Sequence, residues 1–419
     1  MTDDRRRVVV TGMGALSALG PDVASTWDGL VSGRSGVRRI EAFDPSRVDS
    51  QIAAEVRDFD PGDVIDRKDA RRMDRYIQFG LVVARQAMRQ AGLPERMEGA
   101  LAERAGVYLG SGLGGVHTLF DNVLTMADRG PDRISPFFVP MGITNVGSGQ
   151  IAISFGPLGP NFAIVSACAT GAHAIGEAWE TIRRGDADVM LAGGVEAAIH
   201  EAVLGGFSSM KALSTRNGDP AAASRPFDAG RDGFVIGEGA GMLVLETVES
   251  AERRGAEPLA ELVGYGATAD AAHITLPSPG GAGAVRAARR ALEKASLEPS
   301  DIDHVNAHAT STPEGDRAEL LGLRTLLGDR APEVAVTANK SMLGHTLGAA
   351  GAIESVATIQ TIRTGVVPPT INLEQPDEAA AGLDLTPGTA GHRDVRVALN
   401  NSFGFGGQNA TLVFRRWES

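Results

Sequence analysis

The chain has 419 residues, of which 43% are hydrophobic, 22% charged and 5% aromatic. This composition is typical of a folded globular protein and excludes a disordered or fibrous one. The 40 basic and 52 acidic residues leave a net charge of −12, which argues against nucleic acids and anionic membranes as partners. At roughly 150 residues per domain, the length predicts two or three domains or one large duplicated fold.

The chain contains a single cysteine, Cys168. An intramolecular disulfide and a thiolate-cluster metal site are therefore excluded, and a reducing compartment is favoured. The segment 1–11 lacks the long apolar run of a signal peptide. No stretch reaches the ~18 consecutive apolar residues that a membrane span needs. We therefore expect a cytoplasmic protein.

Short apolar strands alternate with helices along the first part of the chain. The predicted strands lie over 8–11, 107–109, 161–167 and 189–192, and the predicted helices over 71–92 and 172–184. This alternation predicts parallel strands in an α/β fold.

The second part of the chain repeats the pattern. Its predicted helices lie over 283–295, 316–327 and 348–364, and its predicted strands over 305–307 and 334–337. The helices over 172–184 and 348–364 are both rich in small residues, and both end on Ile-Arg, one further residue and Gly. Each helix follows a reactive side chain, Cys168 in the first part of the chain and His345 in the second. We pair these two residues as equivalent positions of the repeat. The repeat predicts two similar halves, which we divide as 1–255 and 256–419.

Cys168 lies in the segment S-A-C-A-T-G over 166–171, between a predicted strand and a predicted helix. A small buried cysteine is the alternative interpretation. A sharp strand-to-helix turn would instead present the thiol as a nucleophile. The following helix N-terminus would lower the pKa of the thiol and offer a backbone N–H to an oxyanion.

Two of the eight histidines have a comparable setting. His308 follows a predicted strand and His345 precedes a predicted helix, and such loops carry the chemistry of α/β folds. One cysteine and two histidines suit acyl transfer. Zinc binding by the same three is an alternative, without the short spacing of a typical zinc site. The other six are expected on the surface or in ordinary packing: His117, His173, His200, His273, His304 and His392.

Nine segments spread over the chain carry a further signal: 8–14, 134–138, 166–171, 212–217, 224–228, 231–234, 308–313, 340–345 and 401–407. Together they resemble the β-ketoacyl-acyl-carrier-protein synthases of the chain-elongating kind called synthase II. They follow the family's order over essentially the whole chain. The sequence departs from the family at Ala309, where most members have glycine.

The resemblance implies a thiolase fold, in which two duplicated α/β halves form five layers (αβαβα), usually in a homodimer. It implies that Cys168 accepts an acyl chain from acyl carrier protein. Malonyl-acyl carrier protein then loses CO2 and attacks that thioester. Neutral His308 and His345 would stabilise the enolate, and the N–H groups of Cys168 and Phe405 would bind the oxyanion. No cofactor or metal of the enzyme itself is expected.

The resemblance also assigns supporting residues, for each of which core packing or a solvated surface is the ordinary alternative. Lys340 would keep the histidines neutral, with Glu354 as its ionic partner. Thr310 and Thr312 would bind the pantetheine amides, and Phe405 would act as a gate. The remaining substrate-binding candidates are Phe403, Leu113, Phe207 and, from the other subunit, Phe138 or Phe137. The candidates for docking the carrier protein are Lys68, Arg71, Arg72, Arg133 and Lys211.

Four other functions are alternatives to this one. A ketosynthase of a type II polyketide pathway shares the catalytic set and stays open. A degradative thiolase needs a second catalytic cysteine, and this chain has one. A non-catalytic acyl-binding or chain-length partner subunit lacks the nucleophile, which is present as Cys168. A chain-initiating synthase normally has Asn in place of His345.

Overall fold

The computed structural model describes residues 6–418, so that residues 1–5 of the N-terminal segment and residue 419 lie outside the description. Within residues 6–418, ten strands form one mixed sheet: β1 (Val8–Leu16), β2 (Ala105–Gly110), β3 (Asn161–Phe162), β4 (Val189–Glu196), β5 (Gly239–Thr247), β6 (Ala260–Ala269), β7 (His304–Asn306), β8 (Ala335–Thr337), β9 (Val397–Gly404) and β10 (Gln408–Arg415). Two short strand pairs lie outside it, Arg38–Arg39 with Ile52–Ala53 and Val366–Val367 with Gly391–His392.

The α-helices of the same residues are α1 (Val23–Val31), α2 (Arg67–Ala70), α3 (Arg75–Gln90), α4 (Gly99–Glu103), α5 (Val116–Arg129), α6 (Phe138–Gly142), α7 (Asn145–Phe155), α8 (Thr170–Arg184), α9 (Glu201–Ser209), α10 (Val248–Arg254), α11 (Ala282–Ala295), α12 (Pro313–Leu327), α13 (Lys340–Leu343) and α14 (Ala350–Thr364). Among these residues, no helix combines the length and apolar character needed to cross a membrane.

The order of the strands shows the duplication. The sheet runs β8-β7-β9-β10-β6-β1-β5-β4-β2-β3. Read outward from its centre, the first half is β1-β5-β4-β2-β3 and the second is β6-β10-β9-β7-β8, which is the same order with every label raised by five. β2 and β7 are each parallel to both neighbours. The predicted duplication is confirmed, while the boundary between 255 and 256 stays a prediction.

Helices complete five layers. On one outer side α3 packs on β1 and β5, and on the other α11 packs on β6 and β10, with α12 beside it. Between the two halves lie α8 and α14, each of which contacts strands of both. The predicted αβαβα architecture is therefore confirmed.

Glycines explain why β1 is longer than predicted. The strand expected over 8–11 continues through two glycines to Leu16. A Cβ on Gly12 would lie 2.1 Å from the carbonyl oxygen of Ala87, and one on Gly14 would lie 2.1 Å from that of Val83. The glycines thus let α3 pack directly on the strand backbone instead of ending the strand.

The strand expected over 161–167 is reduced to Asn161–Phe162. Beyond it the chain crosses over the end of β2. A Cβ on Gly110 would lie 2.5 Å from the carbonyl oxygen of Ile164. The backbone of this segment therefore leaves the ladder and leads toward Cys168.

The two central helices begin with the same strained turn. Ala167 and Leu347 have φ values of +49° and +47°, in the left-handed region that favours glycine. Each of these residues begins a short 3₁₀ turn, Ala167–Ala169 or Leu347–Ala349, that leads into the helix.

This turn sets the register of the internal repeat. Equivalent positions are 180 residues apart, and both helices end at left-handed glycines, Gly185 and Gly365. The residue that corresponds to Cys168 is therefore Gly348. Our pairing of Cys168 with His345 is wrong by three residues, because His345 precedes the turn.

We predict that Gly351→Ala destabilises the fold at the contact between α8 and α14. Its Cβ would lie 2.7 Å from the backbone nitrogen of Ala172 and 2.8 Å from the Oγ of Ser402. Overpacking of this kind costs about 1–3 kcal/mol of the free energy of unfolding, measurable by urea denaturation followed by circular dichroism. The matched control is Gly206→Ala in α9, where nothing lies within 4 Å of the new Cβ. A loss of the same size in both variants would contradict the packing argument.

Candidate active site

A cavity of about 640 Å³ lies where the two halves meet. Among the residues singled out from the sequence, those that line it are Leu113, Cys168, Phe207, Lys211, His308, Thr310, Thr312, His345, Phe403 and Phe405. The fold therefore brings the cysteine and both histidines to one cavity from three separate parts of the chain.

Cys168 lies on a tight turn at the start of α8. It belongs to the 3₁₀ turn Ala167–Ala169, which runs directly into the helix. Its side chain is half-buried and faces the cavity. The strained backbone of Ala167 holds the thiol at the helix N-terminus.

The thiol is neutral in this environment. Burial raises the pKa of Cys168 to about 12, and the nearby carboxylate of Glu196 raises it further. The Lys340 ammonium and hydrogen bonds from the backbone N–H groups of Phe405 and Cys168 lower it by less. The expected lowering of the thiol pKa is therefore wrong, because burial outweighs the groups that favour the thiolate.

The turn after β9 abuts the cysteine. A Cβ on Gly404 would lie 2.5 Å from the carbonyl oxygen of Ser166 and 3.3 Å from the nitrogen of Cys168. This close approach brings the N–H of Phe405 to the thiol. The Phe405 ring lines the cavity and is 37% exposed, and left-handed Gly406 follows it with φ +89°.

The two histidines meet across the cavity. The ring centroids of His308 and His345 are 5.4 Å apart, with the ring planes at 86°. Phe403 packs on His308 and Phe234 on His345. Burial, followed by the Lys340 ammonium, holds the pKa of both rings well below 6.5. Both imidazoles are therefore neutral at neutral pH.

Ring nitrogens of both histidines are free of protein partners. Within residues 6–418, Nδ1 of His308 and both nitrogens of His345 form no hydrogen bond. Buried polar atoms without a partner are costly in a folded protein and often mark a functional site. In the same range, no group of three or more His, Cys, Asp or Glu side chains is arranged to hold a metal ion, so the zinc alternative gains no support.

A buried ion pair lies close to the histidines. Nζ of Lys340 is 2.5 Å from Oε1 of Glu354, and both side chains are 1% exposed. Burial raises the pKa of Glu354, and Lys340 opposes that rise. Because a buried ammonium without a counter-charge is very unfavourable, Glu354 allows Lys340 to remain beside the imidazoles as a cation.

A buried carboxylate that the sequence analysis missed holds the loop after β7. Glu319 of α12 accepts hydrogen bonds from the N–H groups of His308 and Ala309, at 2.8 and 2.7 Å. Burial raises the pKa of Glu319 to about 7. Ala309, the departure from the family pattern, has φ +32°, where glycine would be less strained. The sequence signal for Glu319 was weak, namely one acidic residue on the apolar face of an amphipathic helix.

A second missed carboxylate joins the two halves. Glu196, at the end of β4, is fully buried and accepts four hydrogen bonds. The donors are Ser111 Oγ at 2.8 Å and the backbone N–H groups of Gly112 at 2.8 Å, Leu113 at 3.2 Å and Gly348 at 3.0 Å. It therefore fixes the loop that carries Leu113 against the turn that follows His345. An acidic residue at the end of an otherwise apolar strand was the available signal.

The remaining substrate-binding candidates lie in two places. The hydroxyls of Thr310 and Thr312 are 3.1 Å apart on the cavity wall, and Phe207 packs edge-on against Phe234. Phe137 and Phe138 do not line the cavity of this protomer. They lie at the start of α6, where the ring of Phe137 is 37% exposed.

The basic docking candidates are exposed and fall into separate groups. Lys68, Arg71 and Arg72 lie on α2 or directly after it, and the guanidinium of Arg72 lies 5.3 Å from the ring centroid of Phe137. Arg133 lies in the 3₁₀ turn that precedes α6. Lys211 lies at the cavity, where its ammonium is 3.1 Å from a carboxylate oxygen of Asp49.

Two family models match successive parts of the chain. The family model described as the N-terminal domain of β-ketoacyl synthase matches residues 5–251, and that of the C-terminal domain matches residues 259–374. A Staphylococcus aureus (strain N315) protein named 3-oxoacyl-[acyl-carrier-protein] synthase 2 is 47% identical over 414 residues, which are 99% of both chains. A Coxiella burnetii protein of the same name is 46% identical over 413 residues, also 99% of both chains.

Solved structures agree with these sequence relatives. The ishigamide ketosynthase/chain length factor and a β-ketoacyl synthase from Burkholderia phymatum STM815 each superimpose with a TM-score of 0.91 at 36% identity, over 99% of this chain and 100% of theirs. The AntDE:AntF complex, a type II polyketide ketosynthase with its acyl-carrier protein, gives a TM-score of 0.91 at 33% identity over the same shares. The chain belongs to the β-ketoacyl synthase family.

Proposed function

We propose that the protein is an elongating β-ketoacyl-acyl-carrier-protein synthase of type II fatty-acid synthesis. It condenses malonyl-acyl carrier protein with an acyl group on Cys168 and releases 3-oxoacyl-acyl carrier protein and CO2. The observation that carries this proposal is the meeting of one thiol and two neutral imidazoles at a single cavity. The 47% identity to proteins named 3-oxoacyl-[acyl-carrier-protein] synthase 2 supports it.

The first step is acyl transfer to Cys168. The sulfur of Cys168 bonds to the acyl carbon, the bond from that carbon to the pantetheine sulfur breaks, and the thiol proton leaves on pantetheine. The exchange creates no net charge, which suits a buried neutral thiol. In the tetrahedral intermediate the oxyanion lies between the N–H groups of Cys168 and Phe405, and losing one such donor typically costs about 3–4 kcal/mol of transition-state stabilisation.

The second step is decarboxylation of the malonyl thioester. The bond to the carboxylate breaks, CO2 leaves, and the electron pair becomes an enolate. His308 and His345 donate ring N–H groups to the enolate oxygen. Neutral rings are needed, because an imidazolium would protonate the carbanion before it could react. The Lys340 ammonium, which is fixed by Glu354, disfavours protonation of both rings.

The third step joins the two chains. The enolate carbon attacks the acyl carbon on Cys168, the bond to sulfur breaks, and the thiolate takes up a proton. The oxyanion again lies between the N–H groups of Cys168 and Phe405. Phe405 acts as a gate to the acyl pocket, beside Phe403, and Thr310 and Thr312 bind the pantetheine amides.

A homodimer would cover apolar side chains that the protomer leaves exposed. Leu124, Val139 and Phe162 are 66%, 59% and 57% exposed, and Phe162 lies on β3 at the edge of the sheet. Exposed apolar side chains and an open strand edge are typical of an interface. We propose that the partner covers them and brings Phe138 or Phe137 to the acyl pocket beside Leu113 and Phe207.

A ketosynthase of a type II polyketide pathway is the second candidate. The AntDE:AntF complex, which contains a type II polyketide ketosynthase, superimposes with a TM-score of 0.91 and supports this candidate. The catalytic steps would be the same and the acyl substrates would differ. The higher identity to the proteins named synthase 2 favours fatty-acid elongation. A non-catalytic partner subunit is less favoured, because Cys168 is present.

The reaction requires no cofactor bound by the enzyme, since the pantetheine arm belongs to the carrier protein.

We propose a cytoplasmic location, which the single unpaired Cys168 supports. We also propose 1–255 and 256–419 as the two halves of the chain, a division that falls between α10 and β6.

We predict one acyl adduct on the wild-type protein after mixing with a long-chain acyl-acyl carrier protein. Intact mass spectrometry measures it, with Cys168→Ala as the control that forms none. Malonyl-acyl carrier protein should then clear the adduct and give a product two carbons longer. Identical spectra for the two proteins would reject the proposed function.

We predict that the rings of His308 and His345 remain neutral in mildly acidic solution. In protein labelled with 15N-histidine, the ring signals of His308 and His345 should remain those of neutral imidazole at pH 6, where an ordinary histidine would be about three quarters protonated. The expectation follows from their lowered pKa values. His308→Ala and His345→Ala variants assign the signals. Uptake of a proton by either ring near pH 6.5 would argue against the enolate-stabilising role.

Charge reversal by Arg72→Glu is predicted to raise KM for acyl-acyl carrier protein, because the exposed guanidinium would attract an acidic partner. The KM for a short acyl thioester without a carrier should not change. Arg289→Glu, a reversal on an exposed position of α11, serves as the matched control. Equal losses with both substrates would reject the docking role of Arg72.

A further inference from the structure

Ser166 and His173 form a hydrogen-bonded pair next to the nucleophile. Oγ of Ser166 lies 2.7 Å from Nδ1 of His173. Ser166 precedes Cys168 by two residues, and His173 lies in the first turn of α8. The sequence analysis expected His173 on the surface or in ordinary packing, and neither residue of the pair lines the cavity.

Either atom of this pair can be the donor, because the role of Nδ1 depends on the tautomer of the ring. Burial lowers the pKa of His173, and the backbone of Asn409 opposes that shift by less. In either tautomer the hydrogen bond joins Ser166 to α8.

The pair closes the strained turn at Cys168. The backbone N–H of Ser166 donates to Oγ1 of Thr170 at 2.8 Å, and its hydroxyl is hydrogen-bonded to Nδ1 of His173. Both partners belong to α8. Two hydrogen bonds therefore fix Ser166 to the helix. They span the turn that contains Ala167, whose backbone is in the left-handed region.

The same pair connects the two backbone donors that face the thiol. The donor of Cys168 belongs to the turn that Ser166 closes. The donor of Phe405 belongs to the turn between β9 and β10. Gly404, directly before it, approaches Ser166 so closely that a Cβ on Gly404 would lie 2.5 Å from the carbonyl oxygen of Ser166. The chain of contacts therefore runs from one donor-bearing segment to the other.

We propose that Ser166 and His173 are positioning residues for acyl transfer, which set the N–H groups of Cys168 and Phe405 around the reacting sulfur. The proposal rests on the proposed condensing function. Decarboxylation depends on His308 and His345, which lie in other segments of the chain. Ser166 and His173 therefore affect the rate of acyl transfer and leave the rate of decarboxylation unchanged.

Ser166→Ala tests this by comparing two half-reactions. We expect acylation of Cys168 by acyl-acyl carrier protein to slow about tenfold or more, because the N–H groups that stabilise the oxyanion lose their alignment. Release of CO2 from malonyl-acyl carrier protein should stay within about twofold of the wild-type rate. Ser166→Thr keeps the hydroxyl and should keep acylation within about threefold. Thr181→Val removes another buried hydroxyl from α8, one that contacts Tyr108, and should change neither rate.

Alkylation by iodoacetamide gives a readout without any acyl substrate, and Cys168 is the one cysteine it can label. Because the two N–H groups stabilise the thiolate, Ser166→Ala should slow alkylation at a fixed pH about tenfold, while Ser166→Thr should not.

Equal losses of acylation and decarboxylation, or unchanged alkylation in Ser166→Ala, would overturn the proposal. A wild-type protein that forms no adduct would reject the proposed function instead, and the alkylation comparison would still decide the positioning role.

Discussion

The close contact between the two central helices is the constraint on which the site depends. A Cβ on Gly171 would lie 2.9 Å from the nitrogen of Ala352, and one on Gly351 would lie 2.7 Å from that of Ala172. This reciprocal contact is possible because both positions are glycine. Each helix begins at a strained turn, so a contact near their N-termini brings both turns to one cavity. The cysteine of one half then faces the histidines of the other.

The duplicated halves contribute different chemistry from equivalent positions. The loop after β2 carries Leu113 and shapes the apolar part of the cavity, whereas the equivalent loop after β7 carries His308 and two threonines. The turn that holds Cys168 in the first half holds Gly348 in the second. Glu196 accepts hydrogen bonds from the loop after β2 and from the turn at Gly348. The symmetric scaffold thus supports an asymmetric site.

Burial controls the charge of the reacting groups. It keeps the thiol of Cys168 and the imidazoles of His308 and His345 neutral, and it leaves Lys340 and Glu354 as a compensated pair. In such an environment, N–H groups interact more strongly with developing negative charge than they would in water. The site is therefore suited to reactions whose charge appears on a thioester oxygen and disappears again within the same cycle.

The sequence by itself determined the α/β class, the internal repeat, the turn at Cys168 and the special settings of His308 and His345. These follow from local signals: strand and helix periodicity, small residues and glycines at helix ends. The resemblance to the synthases added Lys340, Glu354 and Phe405. The tertiary structure alone decided the register of the repeat, the raised thiol pKa and the partners of Glu196, Glu319 and His173. The partners of Glu196 lie up to 152 residues away along the chain, and burial depends on how distant segments pack, so no local pattern could specify them.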